Sequence, residues 1–272
     1  MNYSKVPMKV ELENVSFGYD KDNIVLDGIS FTIESSESIS IVGSSGCGKS
    51  TLLRIICGLL PDLPHQKLLG QIHLGGLNVI SEKSKWKDER SKGILGFMFQ
   101  EHSLLPNLTV GENIHLPLKI IGKSNGGEQL VSEYLKLTGL EKWKNELPSM
   151  LSGGMKTRTA LARTFISQPK LLLLDEPFSS LDVVWKAKLY EEVRKLRNIS
   201  ATTTILVTHD IFEAIFFSDI IVVLGDNHKI IEKVSIRDWS NKYTFDDIIL
   251  KYYKEFVYIK HLIEYNSTES II

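Results

Sequence analysis

Gly43, Gly48, Lys49 and Ser50 stand at a spacing suited to one task, the gripping of a phosphate chain. Residues 43–51 read GSSGCGKST, a glycine, four residues, then Gly-Lys-Ser, which fits the Walker A pattern. Phosphate oxygens must lie against backbone N–H groups, so the loop needs glycines where a Cβ would block close approach. Lys49 can neutralise the terminal phosphates, and Ser50 can offer its hydroxyl to Mg²⁺. Gly43, Ser44, Ser45, Gly46, Cys47, Gly48, Lys49, Ser50 and Thr51 are therefore the candidate nucleotide loop. Cys47 lies inside it beside Lys49, where N–H groups and positive charge are expected to favour the thiolate.

A pair of carboxylates supplies the second half of such chemistry. LLLLDEP at 171–177 ends an apolar run in Asp175 and Glu176. Asp175 can hold Mg²⁺ through water, and Glu176 can polarise a water that attacks the γ-phosphate. An acid after an apolar run is common by itself. Downstream of a phosphate loop it becomes informative.

These residues need a frame. SISIV at 38–42 reads as a strand, and Leu52, Leu53, Ile55, Ile56, Leu59 and Leu60 recur at helical spacing after the loop. The helix would then point its first N–H groups at the anion. Residues 8–37 alternate apolar and polar, which predicts antiparallel strands. Four further runs are continuously apolar: ILGFMF (94–99), LLLLD (171–175), TILVT (204–208) and IIVVL (220–224). Such runs predict a mostly parallel sheet buried on both faces. Between them, residues from about 101 to 165 have helical patterning. SEKSKWKDERSKG (81–93) reads as solvated surface, and YKEFVYIKHLIEY (253–265) as a terminal helix. The expected fold is α/β, with an N-terminal antiparallel β subdomain and an inserted helical subdomain, residues 1–240 forming one domain and 241–272 a helical extension.

Composition narrows the function. With 32 basic and 33 acidic residues the net charge is -1, so the chain carries no electrostatic footprint for nucleic acid. No run approaches the ~18 apolar residues of a spanning helix, and the start lacks the apolar core of a signal peptide. A cytoplasmic protein is expected. Two cysteines, Cys47 and Cys57, are too few for a disulfide framework or a zinc cluster.

Taken in order, these segments and five others resemble the nucleotide-binding subunits of ABC transporters, over about Lys9 to Gly225. The resemblance implies a P-loop NTPase core that uses ATP and Mg²⁺. It implies that Tyr19, in FGYD, stacks on adenine. Gln100, ending GFMFQ, would touch Mg²⁺ and the attacking water and sense a membrane partner. LSGGM at 151–155 resembles the ABC signature, with Ser152, Gly153 and Gly154 opening a helix as a second anion-binding terminus. Asp182, in SSLD, would cross to the other subunit, and His209, in VTHD, would contact the γ-phosphate. Met155 and Thr157 depart from the commonest signature, where glutamines stand.

One chain with two phosphate-binding helix ends implies two copies, or two paired cassettes, facing head to tail around two ATP molecules. The pattern is most similar to importers of the nitrate, sulfonate, taurine and thiamine-precursor group. That implies transmembrane permease subunits, a solute-binding protein and a place on the inner face of the membrane. Residues 101–118, EHSLLPNLTVGENIHLPL, lie where family members form a groove for a permease helix. Three alternatives stay open: an exporter subunit, a soluble ABC ATPase acting on ribosomes or nucleic acid, and a P-loop kinase. A single cassette, near-zero charge and the absence of heptads weigh against the second; LSGGM weighs against the third.

Overall fold

The computed structural model describes residues 6–20, 23–60, 66–179, 181, 185–191, 193, 202–236 and 250–268. The chain begins with strands β1 (Val10–Gly18), β2 (Ile24–Ile33) and β3 (Ser38–Val42), then helix α1 (Lys49–Ile56). There follow β4 (Lys67–Leu74), β5 (Leu77–Asn78), α2 (Lys83–Ser91) and β6 (Leu95–Met98). Three helices come next, α3 (Val110–Ile120), α4 (Gly127–Leu137) and α5 (Gly153–Phe165), and then β7 (Leu171–Asp175). The last elements are β8 (Thr203–Val207), α6 (Ile211–Phe217), β9 (Ile220–Leu224), β10 (Ile230–Ser235) and α7 (Tyr253–Thr268). Residues 185–191 are also helical. The chain divides into two compact units, one of residues 6–86 and 202–272, the other of residues 87–201.

In the first unit, β2-β1-β4-β5 form an antiparallel sheet. Val10 and Leu12 are buried, and so are Val15 and Phe17. The step from 12 to 15 is three residues, which would turn the second pair outward in a regular strand. A shift of register between Leu12 and Val15 restores the face. It is carried by Asn14, in the left-handed region at φ 48°, its N–H donating to Ser30 Oγ at 2.8 Å. Gly70 on β4 faces this bulge, and a Cβ there would press on Asn14 O and lie 2.6 Å from Glu13 O. β4 is half-exposed and escapes the sequence pattern for that reason.

The parallel strands of this unit follow the order β9-β3-β8, with β10 antiparallel on β9. Every residue of β3 is buried, including two serines. Buried hydroxyls must be bonded. Ser38 donates from both N and Oγ to Asp219 Oδ2, at 2.8 and 2.7 Å, and Ser40 pairs with Ser218. α7 packs on α6 through stacked Phe212 and Phe256, 4.2 Å between ring centres.

The second unit holds the parallel pair β6–β7 and the helices α3, α4 and α5. Thr109 and Glu112 cap α3 reciprocally. Fully buried Asn113 closes the preceding loop, its amide donating to the carbonyls of Leu105, Leu108 and Thr109 and accepting from Leu105 N–H. Arg158 on α5 donates to Thr138 O at 2.7 Å and lies 3.8 Å over the Trp185 ring.

Residues 81–93, expected as solvated surface, are mostly the helix α2. Trp86 is the reason: it is 2% exposed, packs against Gly58 and donates from Nε1 to Cys57 O at 3.0 Å. One aromatic among charges is enough to seat the helix. Trp86→Ala should lower the unfolding free energy by about 3–5 kcal/mol, through lost burial and an uncollapsed cavity. A urea titration monitored by circular dichroism measures it.

Candidate active site

β3 ends at Val42 and α1 starts at Lys49, so residues 43–48 are the turn between them. Its glycines are there for space and for conformation. A Cβ on Gly43 would run into Leu224 O, and one on Gly48 would lie 2.6 Å from Val25 O, with φ at 107°. Gly46 sits in open space, but its φ of 88° suits glycine. The base of the loop, Cys47, Gly48 and Lys49, is buried, while Ser45 and Gly46 on its rim are exposed. Ser50 and Thr51 are half-buried at the first turn of α1.

The Lys49 ammonium lies inside this curve. It donates to Gly43 O at 2.9 Å and to Ser44 O at 2.6 Å. Ser44 Oγ donates to Asp226, a partner that the sequence pattern did not suggest because it lies past β9. Cys47 Sγ is 3.7 Å from Lys49 Nζ. The thiolate expected from that neighbour does not follow. Burial pushes the Cys47 thiol above its ordinary value and outweighs the attraction of Lys49.

Tyr19 and His209 belong to the same unit as the loop. Tyr19 is half-buried, packed edge-on against Phe17 with ring centres 5.0 Å apart. His209 is exposed and fixed by the residues on either side. Thr208 Oγ1 donates to buried Glu213 Oε2 at 2.6 Å and accepts from Asp210 N. Asp210 caps α6, its carboxylate accepting from Phe212 N and Glu213 N. Acid caps followed three residues later by Glu are legible in sequence, and HDIFE at 209–213 is such a signal.

The second unit carries the remaining candidates. Asp175 ends β7 and is 1% exposed. Glu176, next in the chain, takes φ 46°, a conformation that costs a non-glycine residue of order 1 kcal/mol or more. Ser179 holds that turn, donating from Oγ to Glu176 O at 3.1 Å. Gln100 is exposed just beyond β6. Ser152 is the N-cap of α5, its Oγ accepting from Met155 N at 3.4 Å. Gly153 has nothing within 4 Å of a would-be Cβ, so the turn Ser152–Gly154 presents bare backbone. Thr157 is buried and bonded to His102, a pairing that spans 55 residues and that no local pattern could suggest. Asp182 lies outside the described residues.

The candidate Mg²⁺ donors are a hydroxyl (Ser50), a carboxylate (Asp175) and an amide oxygen (Gln100). All are hard oxygen donors, and none is a sulfur or imidazole that would select a softer ion. The set fits Mg²⁺. Among the described residues no three His, Cys, Asp or Glu side chains group as a metal site of their own.

The ABC transporter family profile matches residues 26–179. The chain belongs to the ABC transporter family. It is 37% identical over 259 residues to the aliphatic sulfonates import ATP-binding protein SsuB of Bacillus cereus, covering 92% of this chain and 97% of that protein. It is 41% identical over 204 residues to the bicarbonate transport ATP-binding protein CmpC of Synechocystis sp., covering 74% of this chain and 28% of that protein. A dimeric ATP-binding cassette solved in a post-hydrolysis state with ADP and Pi superposes with a TM-score of 0.75 at 30% identity, covering 85% of this chain and 100% of that one. The fold is that of an ABC ATPase, and the chain is the ATP-binding, ATP-hydrolysing subunit of an ABC transporter. No helix among the described residues is long and apolar enough to cross a membrane.

Two outcomes are expected at the loop. Gly48→Ala forces a Cβ onto Val25 O at a left-handed residue, and should abolish nucleotide binding in a fluorescent-ATP titration. At pH 8 Cys47 should react with iodoacetamide at least about tenfold more slowly in the folded chain than in urea, since it is the thiolate that reacts. Peptide mapping reads out the site.

Proposed function

We propose that two copies of this chain, or this chain and a paired cassette, close head to tail around two ATP molecules and drive separate membrane permease subunits. The observation that carries the reading is the pair of helix N-termini built for anions, α1 behind Lys49 and α5 behind Ser152, in a chain that needs one nucleotide per copy. Each ATP then lies between residues 43–51 of one copy and Ser152–Gly154 of the other, with Tyr19 against adenine and Asp182 at the facing subunit. Residues 1–240 form the ATPase domain in this reading and 241–272 an extension.

In hydrolysis the loop N–H groups and Lys49 hold the phosphates. Glu176 polarises the attacking water, and His209 bonds the γ-phosphate oxygens. Ser50, Gln100 and Asp175 would hold Mg²⁺, which when bound would draw off phosphate charge. Loss of the γ-phosphate removes contacts that only the closed pair completes, and the interface opens.

The permease would engage the second unit. A groove of about 330 Å³ there is lined by Leu95, Phe97, Leu116, Pro117, Ile120 and Ile121, with Arg90 and Arg163 also on its wall. Ile120 is 70% exposed. An apolar floor with cationic walls suits a short amphipathic helix. The relatives named for sulfonate and bicarbonate support import of a small anionic solute of the nitrate, sulfonate or taurine kind, fed by a solute-binding protein, with this subunit on the cytoplasmic face of the membrane. Near-zero charge supports no role on nucleic acid.

Glu176→Gln should lower turnover by about 10²–10⁴-fold, the usual worth of a positioned base. It should also leave a dimer that persists with ATP in sedimentation velocity. Normal turnover in this variant would remove Glu176 from the role.

A further inference from the structure

Residues 101–103, directly after Gln100, are fastened to α5 from the side. Arg163 donates from Nη1 to Ser103 O at 2.8 Å and from Nη2 to His102 O at 3.0 Å. Ser103 accepts this clamp in the left-handed region, at φ 46°. Nearer the start of the helix, His102 Nε2 lies 2.7 Å from Thr157 Oγ1. Thr157 in turn donates to Gly153 O at 3.1 Å. A hydroxyl has one proton. With that proton on Gly153 O, the imidazole must be the donor to Thr157. The result is a directed chain, His102 to Thr157 to Gly153, from the Gln100 segment to the first turn of α5.

We propose that His102 and Thr157 are positioning residues that transmit the seating of a nucleotide on Ser152–Gly154 to Gln100, and so couple one half-site of the dimer to the other. The inference rests on the head-to-tail reading above. In that reading α5 touches the facing copy's nucleotide while Gln100 serves the chain's own. A shift of the Gly153 carbonyl is carried one helical turn to Thr157 and then to a backbone two residues from Gln100. Arg163 keeps the segment on α5, and the Thr157 bond sets its register along the helix.

Five full-chain variants test this through steady-state ATPase activity with Mg²⁺ and a Kd for a non-hydrolysed ATP analogue. Thr157→Val removes the hydroxyl with little change of volume. It should lower kcat about three- to tenfold, the equivalent of one neutral hydrogen bond. It should also bring the Hill coefficient for ATP towards 1 while KM and Kd change less than about twofold. Thr157→Ser should restore both kcat and the Hill coefficient. His102→Ala should match Thr157→Val, and the double variant should be no worse than either, as for two ends of one link. Additive losses, equal changes in KM and kcat, or no rescue by serine would reduce the pair to ordinary packing. Gln100→Ala separates the two layers of the argument. If it is impaired while Thr157→Val is not, only the link is wrong; if Gln100→Ala is itself silent, the role given to Gln100 falls, and the link with it.

Discussion

A buried ammonium is the constraint around which the phosphate loop is arranged. Lys49 is 7% exposed, and a cation taken out of water must find oxygen or lose its charge. It finds the carbonyls of Gly43 and Ser44, which can converge on one point only if the chain doubles back within six residues. That turn demands left-handed residues at Gly46 and Gly48, and at Gly43 a side chain no larger than hydrogen beside Leu224 O. β9 must therefore run next to β3, as it does from Ile39 opposite Ile220 to Val42 opposite Val223. The Ser38–Asp219 bonds fix that register at the start of the strands. The sheet is thus built to deliver one lysine.

Much of this was legible in the sequence, because it is local. The glycine spacing, the apolar runs of β3, β7, β8 and β9 and the acid pair each lie within ten residues, and each predicts its element by a rule of period or turn chemistry. What escaped was non-local or a balance of opposed terms. The bulge at Asn14 needs Gly70 from another strand. Trp86 was hidden among charges. The Ser44 partner Asp226 follows β9, far along the chain. For Cys47 the sequence showed the attraction of Lys49 but not the burial that overrides it, so even the sign of the shift was misread.

Helix α5 shows the same division. LSGGM announces a helix start, and Ser152 caps it as such a residue should. The bonds from Thr157 and Arg163 to residues 102 and 103 belong to tertiary packing alone. Threonine at position 157 returns its proton to the helix and leaves its oxygen for His102.

Three helix N-termini in this chain differ in how far they satisfy themselves. α3 is capped completely in the reciprocal manner, Thr109 on Glu112 N–H and Glu112 on Thr109 N–H. Its first turn keeps nothing back. α5 has a single long cap bond at 3.4 Å, and two glycines follow the capping serine. α1 begins after Gly48, which has no side chain with which to cap. A glycine N-cap forgoes roughly a few tenths of a kcal/mol relative to a capping side chain; α4 does the same after Gly126, but α1 does so beside the lysine. An anion offsets it, through N–H donors and the positive end of the helix dipole. In the head-to-tail reading proposed above, the N–H groups at the starts of α1 and α5 are the ones that would meet phosphate, whereas those of α3 are satisfied within the chain.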